Sequence, residues 1–154
     1  VLSLDISQPA LAAARHNFSL NKQHPNVSQV QHRIMVADAF EGMAQMQASG
    51  KRFELVVVDP PAFAKRKDEI DGARTAYQRL VEAALPLVKP GGHLVMASCS
   101  SRISAPDFYE LVRSSVYKQG YQANDVQQYG HALDHPVGFP EGRYLKCWIA
   151  QIQG

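Results

Sequence analysis

The sequence has few cysteines, no long apolar run and no large excess of charge of either sign. Its 154 residues include two cysteines, Cys99 and Cys147, which are too few for a disulfide framework or a four-ligand zinc site. No stretch approaches the roughly 20 apolar residues that span a bilayer, so a protein held by membrane-spanning helices is excluded. We therefore expect a protein of a reducing, cytoplasmic setting, with no metal site and no membrane partner.

Charge and apolar content together indicate a folded domain. The chain has 16 lysines and arginines against 14 aspartates and glutamates, a formal net charge of +2, and 45% of its residues are hydrophobic. This balance excludes the disordered class. A chain of this length buries roughly 68–70% of its unfolded surface, which is enough for one core. The net charge alone predicts no nucleic-acid partner, because such binding needs the basic residues to cluster.

Strand-like and helix-like segments alternate along the chain. The segment Phe53–Val58 is an almost continuous apolar run, typical of a strand buried on both faces of a parallel sheet. Further strands are predicted at Val1–Ile6, Ile34–Ala37, His93–Ala97 and Tyr144–Ile152. Helices are predicted between them, and Ser7 and Ser104 are expected to cap two of these helices. The alternation predicts an α/β fold with helices on both faces of a parallel sheet and ligands at the carboxyl ends of its strands.

Polar residues stand at the ends of four predicted strands and are expected to meet at one edge of the sheet. They are Asp5, Asp38, Asp59 and the segment Ser98-Cys99-Ser100. An acid such as Asp5 can accept hydrogen bonds from ribose hydroxyls, although an acid before a helix is also stabilised by the helix dipole. Asp38 precedes Ala39 and Phe40 and can accept a hydrogen bond from an adenine amino group while Phe40 covers the ring. A helix N-cap explains Asp38 equally well.

Two of these strand ends carry less common chemistry. The segment Asp59-Pro60-Pro61-Ala62-Phe63 places an acid before two prolines, which makes a stiff projecting loop suited to holding a flat base. A plain strand terminator is the other explanation of the prolines. Cys99 is either a reactive thiol at the ligand edge or a small core side chain, and its position favours the first. Cys147 lies inside an apolar strand and is predicted to be structural.

Several segments follow one another in a characteristic order: Asp5, Val36-Ala37-Asp38-Ala39-Phe40, Asp59-Pro60-Pro61-Ala62-Phe63-Ala64-Lys65, Pro90-Gly91-Gly92, Ser98-Cys99-Ser100, Asp134-His135-Pro136 and Pro140-Glu141-Gly142-Arg143-Tyr144-Leu145-Lys146. Their order resembles class I S-adenosylmethionine-dependent methyltransferases. More narrowly, it is similar to the bacterial cytosine-C5 methyltransferases that act on large-subunit ribosomal RNA. The resemblance covers nearly the whole chain.

This resemblance implies a Rossmann-like fold, S-adenosylmethionine as cofactor, RNA as partner and covalent catalysis at cytosine. Cys99 would add to C6 of the base so that C5 can take a methyl group, while the Asp59 carboxyl hydrogen-bonds the N3 edge. A target base in a duplex would have to be flipped out. The cofactor would be bound by Asp5, Asp38, Ala39, Phe40 and Asp59. The substrate would be bound by Pro60, Pro61, Phe63, Lys65 and His135.

The sequence also departs from the family that it resembles. The family's first strand, its glycine-rich loop and its small N-terminal RNA-binding domain have no counterpart in these 154 residues. We therefore expect residues 1–154 to be the C-terminal part of a catalytic domain that is truncated at its N-terminus. The absent strand belongs between the strands that end at Asp5 and Asp59. By itself the chain is expected to bind the cofactor poorly and to be inactive, and the gap favours a homodimer.

Other functions also fit parts of the pattern. An exocyclic-amino methyltransferase uses a similar acid-proline-proline loop and needs no thiol, although here Ala62 stands before the aromatic Phe63. An inactive RNA- or nucleotide-binding fragment is the other alternative. A basic cluster could anchor phosphates, or it could be a solvated loop with interleaved acids; its members are Lys65, Arg66, Lys67 and Arg74. Three residues are expected to line the substrate mouth, unless they only form a turn: His135, Glu141 and Lys146.

Overall fold

The structure, a computed structural model, describes residues 1–64, 66–139 and 142–154. Its chain divides into two units, Val1–Ser49 and Gly50–Gly154. The sequence expectations for Lys65, Pro140 and Glu141 lie outside the described residues. Each unit has its own sheet and its own helices.

The first unit is built on two parallel strands. Its elements are β1 (Leu2–Asp5), α1 (Gln8–Leu20), α2 (Pro25–Ser28), β2 (Arg33–Val36) and α3 (Ala39–Ala48). Strands β1 and β2 pair in parallel, from Leu2 opposite Arg33 to Asp5 opposite Val36. The predicted cap at Ser7 is confirmed, because its side chain accepts a hydrogen bond from the Ala10 amide.

The second unit is built on a mixed sheet of four strands in the order β3-β4-β6-β5. Strand β3 pairs in parallel with β4, and β6 runs antiparallel to both β4 and β5. Its strands and α-helices are β3 (Phe53–Val58), α4 (Ile70–Ala84), β4 (Val88–Ser98), α5 (Ala105–Lys118), β5 (Gln122–Tyr129) and β6 (Lys146–Gln153). The bounds predicted for β3 are confirmed, and so is the helix cap at Ser104.

The core of the second unit lies between one face of this sheet and the helices α4 and α5. Fully buried side chains alternate along the strands on that face and line the inner stripes of the helices. The largest of them are Trp148, Tyr77, Phe108, Leu80, Leu85, Leu87, Leu94, Met96 and Ile152. On the other face of β3, Leu55 and Val57 are exposed by 55% and 60%. The core therefore stands on one side of the sheet within this unit.

Helix α4 begins earlier than the charges suggest. The sequence predicts a charged loop over residues 64–75 and a helix from Ala76, but α4 already begins at Ile70 after a 3₁₀ turn. The turn is held by Arg66, whose amide and guanidinium both donate to the Glu69 carboxylate. Ala73 and Tyr77 are buried at i, i+4 spacing, so the charged residues face outward from an amphipathic helix.

The glycine pair before the fourth strand is a bulge within β4 rather than a separate turn. Val88 pairs with Phe53 and His93 with Leu55, so β4 advances five residues where β3 advances two. Gly91 takes a positive φ of 77°, which an L side chain rarely adopts. Gly92 has no room for a side chain, because an added Cβ would lie 2.9 Å from the Glu54 carbonyl oxygen. The bulge thus needs both glycines.

Substitution of Gly92 by alanine is expected to destabilise the protein by about 1–3 kcal/mol, because the new methyl group meets rigid backbone. The matched control is Gly72→Ala in α4, where nothing lies within 4 Å of an added Cβ. That change is expected to stabilise the protein by about 0.5–1 kcal/mol through helix propensity. Urea unfolding measures both, and equal effects of the two changes would contradict the bulge geometry.

Candidate active site

Asp59 and Cys99 lie at the same edge of the second unit's sheet. They follow β3 and β4, which are parallel neighbours, and Val58 stands opposite Met96 at the end of the ladder. The Asp59 side chain is exposed and the Cys99 side chain is partly exposed. The sequence expectation that these two strand ends share an edge is confirmed. A ligand at this edge could touch a carboxylate and a thiol together.

A buried set of hydrogen bonds joins the loops that carry these two residues. The Ser100 hydroxyl donates to the Ala64 carbonyl oxygen at 3.1 Å, which ties the loop after β4 to the loop after β3. The Ser100 amide donates to Ser98 Oγ at 3.2 Å, and the Tyr77 hydroxyl donates to the same oxygen at 2.8 Å. Ser98, Ser100 and Ala64 are all buried. The two serines around Cys99 therefore fix the loop and leave the thiol between them partly exposed.

Tyr77 contacts both loops of the site, through Phe63 and Ser98. Its ring is fully buried and packs edge-on against Phe63, with ring centroids 5.1 Å apart. Burial raises the pKa of the Tyr77 hydroxyl, its hydrogen bond to Ser98 opposes this shift, and negative charge at Cys99 and Asp59 adds to it. The hydroxyl therefore stays neutral as the donor to Ser98, the residue that precedes Cys99.

Lys146 does not line a substrate mouth as the sequence analysis expected. It stands opposite Ser98 in the β4–β6 ladder and is 2% exposed. Its Nζ donates to the Ser100 carbonyl oxygen, and to the Ile103 carbonyl oxygen at 3.0 Å. The alternation of side chains along β6 would have predicted this burial, because Lys146 shares the inward face of the strand with Trp148, Ala150 and Ile152.

The other cysteine has a different environment. Cys147 lies opposite Ala97 in the ladder, on the face of the sheet away from Lys146. Burial raises the pKa of the Cys147 thiol, and negative charge at Asp59 raises it further. This environment disfavours the thiolate.

The predicted substrate residues are only partly brought together. Pro60 and Phe63 are half-buried and Pro61 is exposed beside them. His135 is exposed in the loop before β6, where its ring stacks on His131 with centroids 5.0 Å apart. His131 Nε2 accepts the Leu145 amide at 3.1 Å, which attaches this loop to the start of β6. The predicted contact at Lys65 lies outside the described residues.

In the basic cluster after β3, the described side chains of Arg66 and Arg74 form ion pairs with carboxylates. Arg66 pairs with Glu69 at 3.1 Å and with Asp68 at 3.8 Å. Arg74 lies 3.9 Å from Asp107 on α5. These pairs favour the solvated-loop explanation over a set of free phosphate anchors.

The predicted adenosine-binding acids both lie in the first unit and act as local caps. Asp38 caps α3, with Oδ1 accepting the amides of Phe40 at 2.9 Å and Glu41 at 3.4 Å. Asp5 Oδ1 accepts the Ser7 amide at 2.7 Å. Oδ2 of each carboxylate takes no part in these caps, so capping and ligand binding are compatible. Ala39 is the first residue of α3, and the Phe40 ring is half-buried.

The expectation that all four strand ends share one sheet was wrong. In the described parts of the chain, β1 and β2 form one sheet, and β3 and β4 belong to another. The site geometry therefore rests on two pairs of strand ends, each within its own unit.

Solved structures define the class of fold. The protein SMU.776, whose crystal structure is a complex with SAH, aligns with 97% of this chain and 38% of its own at a TM-score of 0.76 and 19% identity. A SAM-dependent methyltransferase from Agrobacterium tumefaciens aligns with 98% of this chain and 48% of its own at a TM-score of 0.66 and 16% identity. The chain has the Rossmann-like α/β fold of these methyltransferase structures, which confirms the expected fold class.

Curated relatives are similar over nearly the whole chain. The "Ribosomal RNA large subunit methyltransferase" of Deinococcus radiodurans is 43% identical over 152 residues, which is 99% of this chain and 36% of the relative. "Ribosomal RNA large subunit methyltransferase I" of Shewanella amazonensis is 37% identical over 97% of this chain and 37% of the relative. The chain thus spans little more than a third of these relatives' length. No protein-family model matches it.

Among the helices that the structure describes, none has the length and apolar character to cross a membrane.

Substitution of Ser100 by alanine is expected to destabilise the protein by about 1–3 kcal/mol, because the buried Ala64 carbonyl loses its donor. It should also speed amide exchange at residues 62–64. The matched control is Ser115→Ala, since this buried hydroxyl bonds only within its own helix, to the Leu111 carbonyl oxygen at 2.7 Å. The control should cost under about 0.5 kcal/mol. Urea unfolding and hydrogen exchange check both, and unchanged exchange at residues 62–64 in Ser100→Ala would contradict the link.

Proposed function

We propose that the protein is an S-adenosylmethionine-dependent methyltransferase that forms 5-methylcytosine in large-subunit ribosomal RNA, with Cys99 as nucleophile. The observation that carries the proposal is the pairing of Asp59 and Cys99 at the ends of neighbouring parallel strands, with their loops joined by the Ser100–Ala64 hydrogen bond. The similarity to ribosomal RNA large subunit methyltransferases supports it. We infer that these residues form part of the catalytic domain of the complete protein.

The two strand-end groups suit the chemistry of cytosine. C5 of cytosine is a weak nucleophile, so it needs activation before it can accept a methyl group. Attack of the Cys99 thiolate forms a bond from sulfur to C6 and moves the C5–C6 π electrons toward C5 and the N3 edge. The Asp59 carboxyl would donate a proton in its hydrogen bond to N3 and so stabilise that density. After methylation, a general base takes the C5 proton, the electrons of that C–H bond restore the C5–C6 double bond, and the thiolate leaves C6.

The partly exposed position of Cys99 fits this role. A nucleophile must reach the base while its loop stays fixed, because small displacements of a catalytic group reduce the rate strongly. Both neighbours of Cys99 are buried and hydrogen-bonded. The stiff Pro60-Pro61 segment adds a second fixed wall at the same edge.

The cofactor-binding role belongs to the acids of the first unit. S-adenosylmethionine, when bound, supplies an electrophilic methyl group on a sulfonium. Asp38 Oδ2 would accept from the adenine amino group while Oδ1 keeps the α3 cap, and Phe40 would cover the ring. Asp5 would hold the ribose hydroxyls with the oxygen that its own turn leaves open. The donor set of these two strand ends therefore fits an adenosine group.

The thiol can be tested with RNA that contains 5-fluorocytosine, because fluorine at C5 blocks the final elimination. The complete protein with S-adenosylmethionine is expected to give a protein–RNA adduct that survives denaturation. Cys99→Ala should abolish both the adduct and methyl transfer, while Cys147→Ala keeps them within about threefold, since burial and the Asp59 charge disfavour the Cys147 thiolate. Mass spectrometry of the adduct identifies the residue.

The second candidate function is methyl transfer to an exocyclic amino group, which the Asp59-Pro60-Pro61 loop favours. That reaction needs no thiol, so retained methyl transfer in Cys99→Ala would replace the C5 proposal with this one. A product analysis by nucleoside mass spectrometry separates the two methylated bases.

Asp38→Asn is expected to weaken S-adenosylmethionine binding by about tenfold or more without loss of fold. Asparagine still caps a helix through Oδ1, but its amide nitrogen cannot accept from an adenine amino group. Calorimetry on the complete protein measures the affinity, with Glu41→Gln as a control that removes the same charge from the first turn of α3. Equal weakening in both variants would indicate a general charge effect and contradict the adenine contact.

A further inference from the structure

Two histidine rings stack on each other in the loop between β5 and β6, and the reaction proposed at Cys99 does not use them. The rings of His131 and His135 lie at 13° to each other with centroids 5.0 Å apart. His131 Nε2 accepts the Leu145 amide at 3.1 Å, and the Tyr144 ring meets His131 edge-on at a centroid distance of 5.0 Å. His131 is therefore held in one orientation, and it supports the His135 ring.

The start of β6 connects this stack to the Cys99 loop. Lys146, the residue after Leu145, stands opposite Ser98 in the ladder and donates to the Ser100 carbonyl oxygen. Only β6 separates β4 from β5, and neighbouring strands lie about 4.8 Å apart, so the ends of β4 and β5 are roughly 10 Å apart. The stack thus lies at the same sheet edge as Cys99, two strand positions away.

The outer ring of the stack is open to solvent. His131 is partly buried, whereas His135 is exposed although His131 covers one face of its ring. Among the described residues, no other ring stacks on His135, so the second face is open to a ligand. Unpaired bases of RNA are commonly bound by stacking on aromatic side chains, histidine included. A flat base is therefore the ligand that this face fits.

We propose that the His131–His135 stack is a platform for the unpaired base that neighbours the target cytosine in the RNA. This inference rests on the proposed function, because that function brings a cytosine to Cys99. Extruding a cytosine from a strand removes a stacking partner from the base beside it. The His135 ring replaces that partner, and His131 supports the ring from behind. The sequence pointed to His135 as a substrate contact, whereas the part of His131 follows from the structure alone.

The first experiment measures the RNA affinity of the complete protein by fluorescence anisotropy, with a short single-stranded RNA that contains one cytosine. His135→Ala is expected to weaken binding by about fivefold or more, which is the effect of losing one base stack. His135→Phe keeps an aromatic face and should stay within about threefold of the unmodified affinity. The control is His93→Ala, which removes an exposed histidine from the middle of β4 and should leave the affinity unchanged. Equal affinities of His135→Ala and His93→Ala overturn the proposal.

The second experiment assigns the effect to one base. Two further RNAs keep the backbone but lack the base on the 5′ side or on the 3′ side of the cytosine. At one of these positions, the missing base is expected to weaken binding to the unmodified protein about as much as His135→Ala does. In His135→Ala the same missing base should cause no further loss, because ring and base form a single contact. Additive losses, or no loss at either position, overturn the proposal.

The adenine of the cofactor is another flat base, and a third measurement separates it from a base of the RNA. Calorimetry of the complete protein with S-adenosylmethionine alone is expected to give the same affinity for His135→Ala and for the unmodified protein. Weaker binding of S-adenosylmethionine, with unchanged RNA affinity, would assign the stack to the cofactor and overturn the proposal.

Trapping with 5-fluorocytosine RNA distinguishes failure of this inference from failure of the proposed function. An adduct at Cys99 that forms equally well with His135→Ala at limiting RNA overturns the platform and leaves the proposed function intact. Absence of an adduct in the unmodified protein, with the base-dependent loss of affinity still present, overturns the proposed function and supports stacking at His135 in an RNA-binding protein.

Discussion

The hydrogen bond from the Ser100 hydroxyl to the Ala64 carbonyl oxygen is the constraint on which the site of the second unit depends. It joins the ends of two neighbouring parallel strands across 36 residues of sequence. Without it, the proline loop after Asp59 and the loop of Cys99 would lose the buried hydrogen bond that joins them. Because the bond is buried, water cannot replace it, and its loss would leave a polar group unpaired.

Buried polar groups next to the site form a connected set of hydrogen bonds. Tyr77 donates to Ser98, Ser98 accepts from the Ser100 amide, and Lys146 donates to the Ser100 carbonyl oxygen. Such a network stabilises one loop conformation only when all of its members are paired. The thiol between the serines is then presented by rigid backbone. This arrangement explains how a partly exposed cysteine can be held firmly beside a carboxylate at the same edge.

Local patterns in the sequence predicted the elements whose formation depends on nearby residues. The apolar run of β3 and the caps at Ser7 and Ser104 needed no knowledge of distant contacts. The start of α4 was missed because its buried side chains, Ala73 and Tyr77, lie among charged residues. The separation into two sheets depends on long-range pairing, which spacing alone does not show. The burial of Lys146 could have been predicted from β6 itself, because Lys146 is two residues before Trp148 and so lies on the same inward face of the strand.

A structure of the complete protein joined to 5-fluorocytosine RNA tests the central claim most directly. The account predicts a covalent bond between Cys99 Sγ and C6 of the base, with the Asp59 carboxyl within hydrogen-bond distance of N3. It also predicts that the Ser100–Ala64 hydrogen bond is kept in the complex. A base held with C6 away from Cys99, or with another residue bonded to C6, would contradict the assignment of these strand ends as the active site.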